Sequence, residues 1–207
     1  MQLQLKTWQF VEEYLKTKTG IIVPIGSTEQ HGPTGLIGTD ALTAEMIARG
    51  VGEKVGALVA PTIAVGMAQH HLGFAGSVTL RPTTLIAVVR DQVLSLARHG
   101  FTRFFFVNGH GGNSPVQGLL KEWMGRRRDA KVKFHNWYNA PKTWAKVQEI
   151  DPAASHASWM ENFPWTRLPG VSMPAGAKPV VDYARLQMSN PAQVREQVGD
   201  GNYHGPY

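Results

Sequence analysis

The chain contains no cysteine. Disulfide scaffolds, thiolate nucleophiles and cysteine-bound metals are therefore excluded, and cysteine usage speaks neither for nor against secretion. Charged residues are sparse, at 17% of 207. No apolar run approaches the length needed to span a bilayer, so a membrane is not an expected partner. The N-terminal segment MQLQLKTWQFVEEYLKT lacks the pattern of a signal peptide, which makes a cytoplasmic location the expectation. Internal repeats and low-complexity tracts are also missing. What remains is a hydrophobic fraction of 43%, with 22 glycines and 13 prolines. That is the composition of one loop-rich globular domain over residues 1–207, with an irregular segment from about 166 to 207.

Acidic residues are the scarcer sign, 15 against 21 basic ones, for a net charge of +6. Much of the excess lies in Arg126, Arg127, Arg128, Lys131 and Lys133. Such a cluster suits a solvated helix C-terminus, where cations are favoured. It carries no interleaved aromatics and belongs to no recognisable nucleic-acid module, so no nucleic-acid partner is expected.

Hydrophobic periodicity places helices over 7–17, 40–54, 84–99, about 114–127 and 141–149. Short apolar runs at 21–25, 57–60, 77–80, 102–107 and 132–134 read as strands. Alternating strands and helices form a mainly parallel sheet covered on both faces, here a three-layer α/β/α sandwich. Crossovers in such sheets are right-handed, so all strand C-termini open on one edge, where ligands bind.

Two motifs fall on that edge. After the strand Ile21–Ile25 comes GSTEQHGPTGLIGTD, with Glu29, His31 and Asp40. After TRFFFV comes NGHGGN, with His110. Read singly, the first is compatible with a solvated loop followed by a helix N-cap, and the second with a structural histidine in a glycine turn. NGHGGN lacks the spacing and the lysine of a phosphate-binding loop. Together they supply two carboxylates and two imidazoles at one sheet edge, and His156 and Glu161 add one of each from a later segment. Mixed oxygen and nitrogen donors with a bridging carboxylate are what a pair of divalent cations requires. Asp40, the shortest carboxylate, is a natural bridge.

The strings PIGSTEQHGP, GTD, HHLGF, NGHGGN and HAS with its following Glu resemble the creatininase (creatinine amidohydrolase) family over about residues 20–165. That family includes creatininase, formamide deformylases of flavin and deazaflavin pathways, and a peptidase of mycofactocin maturation. The resemblance implies an α/β/α fold, commonly hexameric, and metal-dependent hydrolysis of an amide-type C–N bond. It implies metal ligation by Glu29, His31, Asp40, His110 and Glu161, with Asp40 bridging. It also places His156 beside a small-molecule amide substrate, as proton donor or as a group orienting a ligand, and aligns Trp137 loosely with an active-site aromatic. Two divalent ions per chain are expected, zinc first, with manganese or iron also accommodated.

Several positions depart from the pattern. Thr34-Gly35-Leu36 replaces the usual His-Leu-Pro, Gly112 stands where creatininase has a glutamate ligand, Pro152 replaces a substrate-contacting tryptophan, and Glu161-Asn162-Phe163 replaces Glu-Thr-Ser. The C-terminal helix of the family is expected to be absent. These departures argue against creatinine itself and touch the metal set less. The expected activity is hydrolysis of a cyclic amide, formamide or small non-peptide amide by a metal-activated water. The rival is a binding or scaffold protein that keeps the fold without the activity. His70 and His71 are expected in a loop or subunit interface rather than as ligands, with one of them able to line the pocket, Trp159 and Trp165 in packing, and the tail on a partner subunit or free.

Overall fold

The apolar runs meet in one sheet. The computed structural model describes all residues 1–207. In it, β1 (Gly20–Ile25), β2 (Leu58–Val59), β3 (Arg103–Asn108) and β4 (Lys131–Asn136) lie in the order β2-β1-β3-β4. Every pairing is parallel. Parallel neighbours need long crossovers, and these are α2 (Thr39–Val55), α3 (Pro82–Arg98) and α4 (Val116–Arg126). A shorter helix, α1 (Trp8–Leu15), precedes β1. The expected α/β sandwich with a parallel central sheet is the observed one.

The period-2 geometry of the strands sorts their side chains between two cores. Ile21, Val23 and Ile25 of β1 and Phe104 and Phe106 of β3 face Leu85, Val89 and Val93 of α3 and Val116 and Leu120 of α4. Burial of each large side chain contributes about 1.5–3 kcal/mol. Ile22 and Val107 point the other way, against Ala44 and Ala48 of α2. The small residues let that helix approach closely: a β-carbon on Gly52 would stand 2.7 Å from a methyl of Val59. Proline at the first turn of α3 pre-sets its φ, and Gly56 ends α2 in the left-handed conformation, with φ 62°.

Register determines where the motifs land. Ile25, Asn108 and Asn136 are aligned across the three strands, so the strand ends are flush. Asn108 donates to Asn136 Oδ1 at 2.9 Å and to the His110 carbonyl at 2.6 Å. Asn113 donates to the Gly26 carbonyl at 3.0 Å. These amides tie the loops after β1, β3 and β4 into one platform.

Two expectations change. Residues 77–80 form no strand; only an isolated antiparallel bridge joins Val78 to Thr28. Beyond α5 (Pro141–Ile150), the segment read as irregular contains a two-residue strand β5 (Ala177–Lys178), α6 (Tyr183–Gln187), α7 (Pro191–Val198) and a closing strand β6 (Gly205–Pro206). Asn190 and Gln193 cap α7 reciprocally behind Pro191, a start signal legible in the chain. No helix is long and apolar enough to cross a membrane.

Candidate metal centre

Beyond β1 the chain turns through Gly26 and Ser27, and the Ser27 hydroxyl donates to Glu29 Oε2 at 2.7 Å. Asp40 lies in the first turn of α2, where the helix dipole favours a carboxylate. The N-cap position is Gly38, with no side-chain cap, so Asp40 is not spent on capping. Its Oδ1 lies 3.0 Å from His31 Nε2 and its Oδ2 3.1 Å from His110 Nδ1. Glu29 Oε1 is 3.2 Å from His110 Nδ1 and 3.2 Å from His71 Nε2. Glu161 Oε2 is 3.6 Å from His31 Nε2 and 3.9 Å from His156 Nδ1, and accepts from the Ala157 N–H at 2.7 Å. Ala157 has φ 62°, the one non-glycine residue at positive φ. Such strain costs on the order of 1–3 kcal/mol and concentrates at functional sites.

The donor set suits a cation. His31 Nδ1 lies 3.1 Å from the Glu29 carbonyl and His110 Nε2 lies 2.8 Å from the Met67 carbonyl. A carbonyl only accepts, so those nitrogens carry the protons. In their neutral forms both rings turn a bare nitrogen toward carboxylate oxygens. Glu29 Oε1 and Asp40 Oδ2 are buried without a hydrogen-bond partner, despite His110 beside them. The ion pairs of Glu29, Asp40 and Glu161 are all with histidines; neither lysine nor arginine reaches them. Buried carboxylates without compensation are costly. A divalent ion facing these oxygens and bare nitrogens removes that cost.

Without an ion, protons on the histidines take over that balance. Burial works against a charged His31, yet Asp40, then Glu161 and Glu29, push its pKa up to about 10. His110 is also buried, and Glu29 and Asp40 raise it well above the usual imidazole range. Burial would raise Glu29, but His110 and His71 hold it well below the ordinary carboxylate value. Glu161 is pushed up to about 7 by burial, opposed by His31 and reinforced by Asp40. Burial, then the neighbouring His31 and His71, drives His156 well below its usual value, so it is a neutral imidazole.

A cavity of about 410 Å³ opens onto Glu29, Asp40, His110, His156 and Glu161, with Tyr138, Trp144, Met160 and Tyr203 on its walls. The structure thus brings together the six residues singled out in the sequence, His31 lying buried behind the others. His71 was not among them. It is 1% exposed, touches Glu29 and lines the cavity, the less favoured of the two places expected for it. Its HHLGF motif was the available signal. The place expected for Trp137 is corrected: it sits in a small core with Val147, Ala154 and Met160, and its neighbour Tyr138 lines the cavity. Gly112 contributes no ligand, and a β-carbon there would strike the Met67 carbonyl and the His110 ring. The tail packs on its own chain, with the Tyr203 ring 4.9 Å from that of His156.

The profile of the creatininase family, described as creatinine amidohydrolase, matches residues 4–202. The chain is 35% identical over 124 residues to a mycofactocin precursor peptide peptidase of Mycobacterium ulcerans, covering 55% of this chain and 49% of that protein. It is 33% identical over 143 residues to a creatinine amidohydrolase of Pseudomonas putida, covering 64% and 55%. The chain therefore spans about half the length of the curated relatives it matches. A crystal structure of creatininase superposes with a TM-score of 0.79 at 23% identity, covering 99% of this chain and 87% of the other. A manganese form of creatininase superposes with a TM-score of 0.78 at 23% identity, with the same coverage of 99% and 87%. With the profile matching nearly end to end, the chain belongs to the creatininase family.

Proposed function

We propose that this protein hydrolyses an amide-type C–N bond with two divalent cations held by Glu29, His31, Asp40, His110 and Glu161. The observation that carries the reading is Asp40, which turns one oxygen to His31 and the other to His110, as a bridging carboxylate would. Creatininase is known in manganese and zinc-zinc forms, which favours those metals. When bound, such ions polarise a carbonyl and lower the pKa of a coordinated water toward neutrality.

The chain's own groups do the rest. Ser27 orients Glu29 through its hydroxyl. His156, neutral at the cavity wall, takes up a proton at one ring nitrogen and returns it to the leaving nitrogen, a release that its lowered basicity favours. Glu161 sits beside it and stabilises the imidazolium formed in between. The cavity lining includes no lysine or arginine, which favours a neutral substrate over an anionic one. Its size suits a small or cyclic amide. The likeness to a precursor peptide peptidase favours a second reading, a peptide amide. The proposal extends to a cytoplasmic homo-oligomer, hexameric as the resemblance implies, which light scattering would test.

Elemental analysis of protein purified without chelator tests the centre. About two equivalents per chain, lost in Asp40→Ala, is the expected result. Failure of wild-type protein to bind zinc or manganese after reloading would overturn it and leave the fold as a binding scaffold.

A further inference from the structure

Gln30 lies between the two histidines that the metal reading leaves outside the ligand set. The Gly32 N–H donates to Gln30 Oε1 at 2.9 Å, which identifies Nε2 as the amide nitrogen. That nitrogen has two hydrogens and three neighbours: the Gly201 carbonyl at 3.1 Å, His71 Nδ1 at 3.1 Å and His156 Nε2 at 2.9 Å. The carbonyl can only accept, so it takes one hydrogen. His71 Nδ1 has no other polar partner and takes the second. His156 Nε2 must then carry its own proton, and the Gln30 backbone carbonyl, 3.0 Å away, receives it. This assignment fills three of the four contacts and leaves only Gln30 Nε2 to His156 Nε2 without a hydrogen, whereas a bare His156 Nε2 would leave two unfilled.

We infer that Gln30, held by the C-terminal Gly201–Tyr203 segment, sets the tautomers of His71 and His156. His71 then turns its Nε2–H edge toward Glu29 Oε1, 3.2 Å away but not in hydrogen-bond geometry, and keeps no lone pair for a metal on that side. His156 keeps a bare Nδ1 toward the cavity, 3.9 Å from Glu29 Oε1 and 3.9 Å from Glu161 Oε2. One amide therefore gives two adjacent imidazoles opposite edges: one with its N–H side toward Glu29 and one with a bare nitrogen open to a proton. The tail closes this arrangement. Gly201 has φ 103°, and a β-carbon there would strike Gln30 Oε1 and lie 2.8 Å from Cδ. The Tyr203 N–H donates to the His156 carbonyl at 3.2 Å, which holds the segment over both rings. Gln30 and Gly201 are positioning residues, since they act through the histidines. The inference goes beyond the metal reading, because the tautomers are defined with or without an ion.

Long-range proton–nitrogen NMR of the histidine rings in uniformly ¹⁵N-labelled protein tests it, with His71→Gln and His156→Gln for assignment. Both rings are expected as the Nε2–H tautomer in the wild type. A wild-type His71 with its proton on Nδ1, or on both nitrogens, overturns the inference and requires no folded variant. Gln30→Glu puts an acceptor where the amide hydrogens stood, so His71 is expected to move its proton to Nδ1. Zinc affinity, by competition with a chelating dye, is expected to fall about 10–100-fold in that variant. A folded Gln30→Glu protein with an unchanged His71 tautomer, or with a moved tautomer and wild-type zinc affinity, refutes the positioning role. If no metal binds even to the wild type, the binuclear reading fails while the tautomer result stands.

Discussion

Asp40 is positioned by backbone packing at Gly26, and a single methyl group tests this. A β-carbon on Gly26 would lie 2.5 Å from the Ala41 Cα and 2.5 Å from the Asp40 carbonyl carbon, where ordinary contact begins at 3.4 Å. The first turn of α2 must therefore retreat by about 0.9 Å, and no rotamer change relieves the clash because both obstacles are backbone. Gly26→Ala is expected to cost about 3 kcal/mol, the upper end for overpacking. In a chain of this size that lowers Tm by roughly 6–12 °C. Misplacing a reacting group by about 1 Å costs on the order of 100-fold in rate, so activity and metal content should fall beyond what stability explains. Gly50 supplies the control on the same helix: it is exposed and a β-carbon there meets nothing within 4 Å. Gly50→Ala is expected to stabilise by about 0.5–1 kcal/mol with unchanged metal content. Thermal unfolding and elemental analysis of both variants decide the matter. A Gly26→Ala protein melting within about 2 °C of wild type with a full metal complement would refute the argument.

Three further outcomes follow from the same structure. Phe106 is 0% exposed at the centre of the larger core, so Phe106→Ala should lose about 3–5 kcal/mol in urea unfolding. Zinc or manganese at about 100 times its Kd should stabilise the chelated protein by about 2.7 kcal/mol, read as a Tm that rises with metal concentration. Burial would raise the pKa of Asp200, but hydrogen bonds from Lys178 and Tyr207 outweigh it and hold the carboxyl below its ordinary value. A depressed folded pKa means stabilisation present above about pH 4 and lost as pH falls through the folded value. Amide exchange at Tyr203 should therefore accelerate below about pH 4, and Asp200→Asn should show the faster exchange already at neutral pH.

Much of the fold was legible because its signals are local. The runs at β1 and β3 are apolar and short, α2 and α3 show an apolar face, and Gly56 and Gly100 mark helix ends. The strand at 77–80 was misread because Val78 alternates correctly but finds no neighbouring ladder to join. Helices α6 and α7 were missed because each is short and surrounded by proline and glycine, so period counting has few residues to work with.

By itself the sequence determined a parallel α/β chain whose strand ends carry Glu29, His31, Asp40 and His110, because strand direction and motif position are both written along one dimension. It could not determine which side chains face one another across loops of unrelated sequence. Tertiary structure alone decided that His71 reaches Glu29, that Trp137 turns inward while Tyr138 faces the cavity, and that Gly201 meets Gln30 from 171 residues away. Those contacts depend on strand register and on the path of the tail, which long-range packing sets and local propensity does not encode.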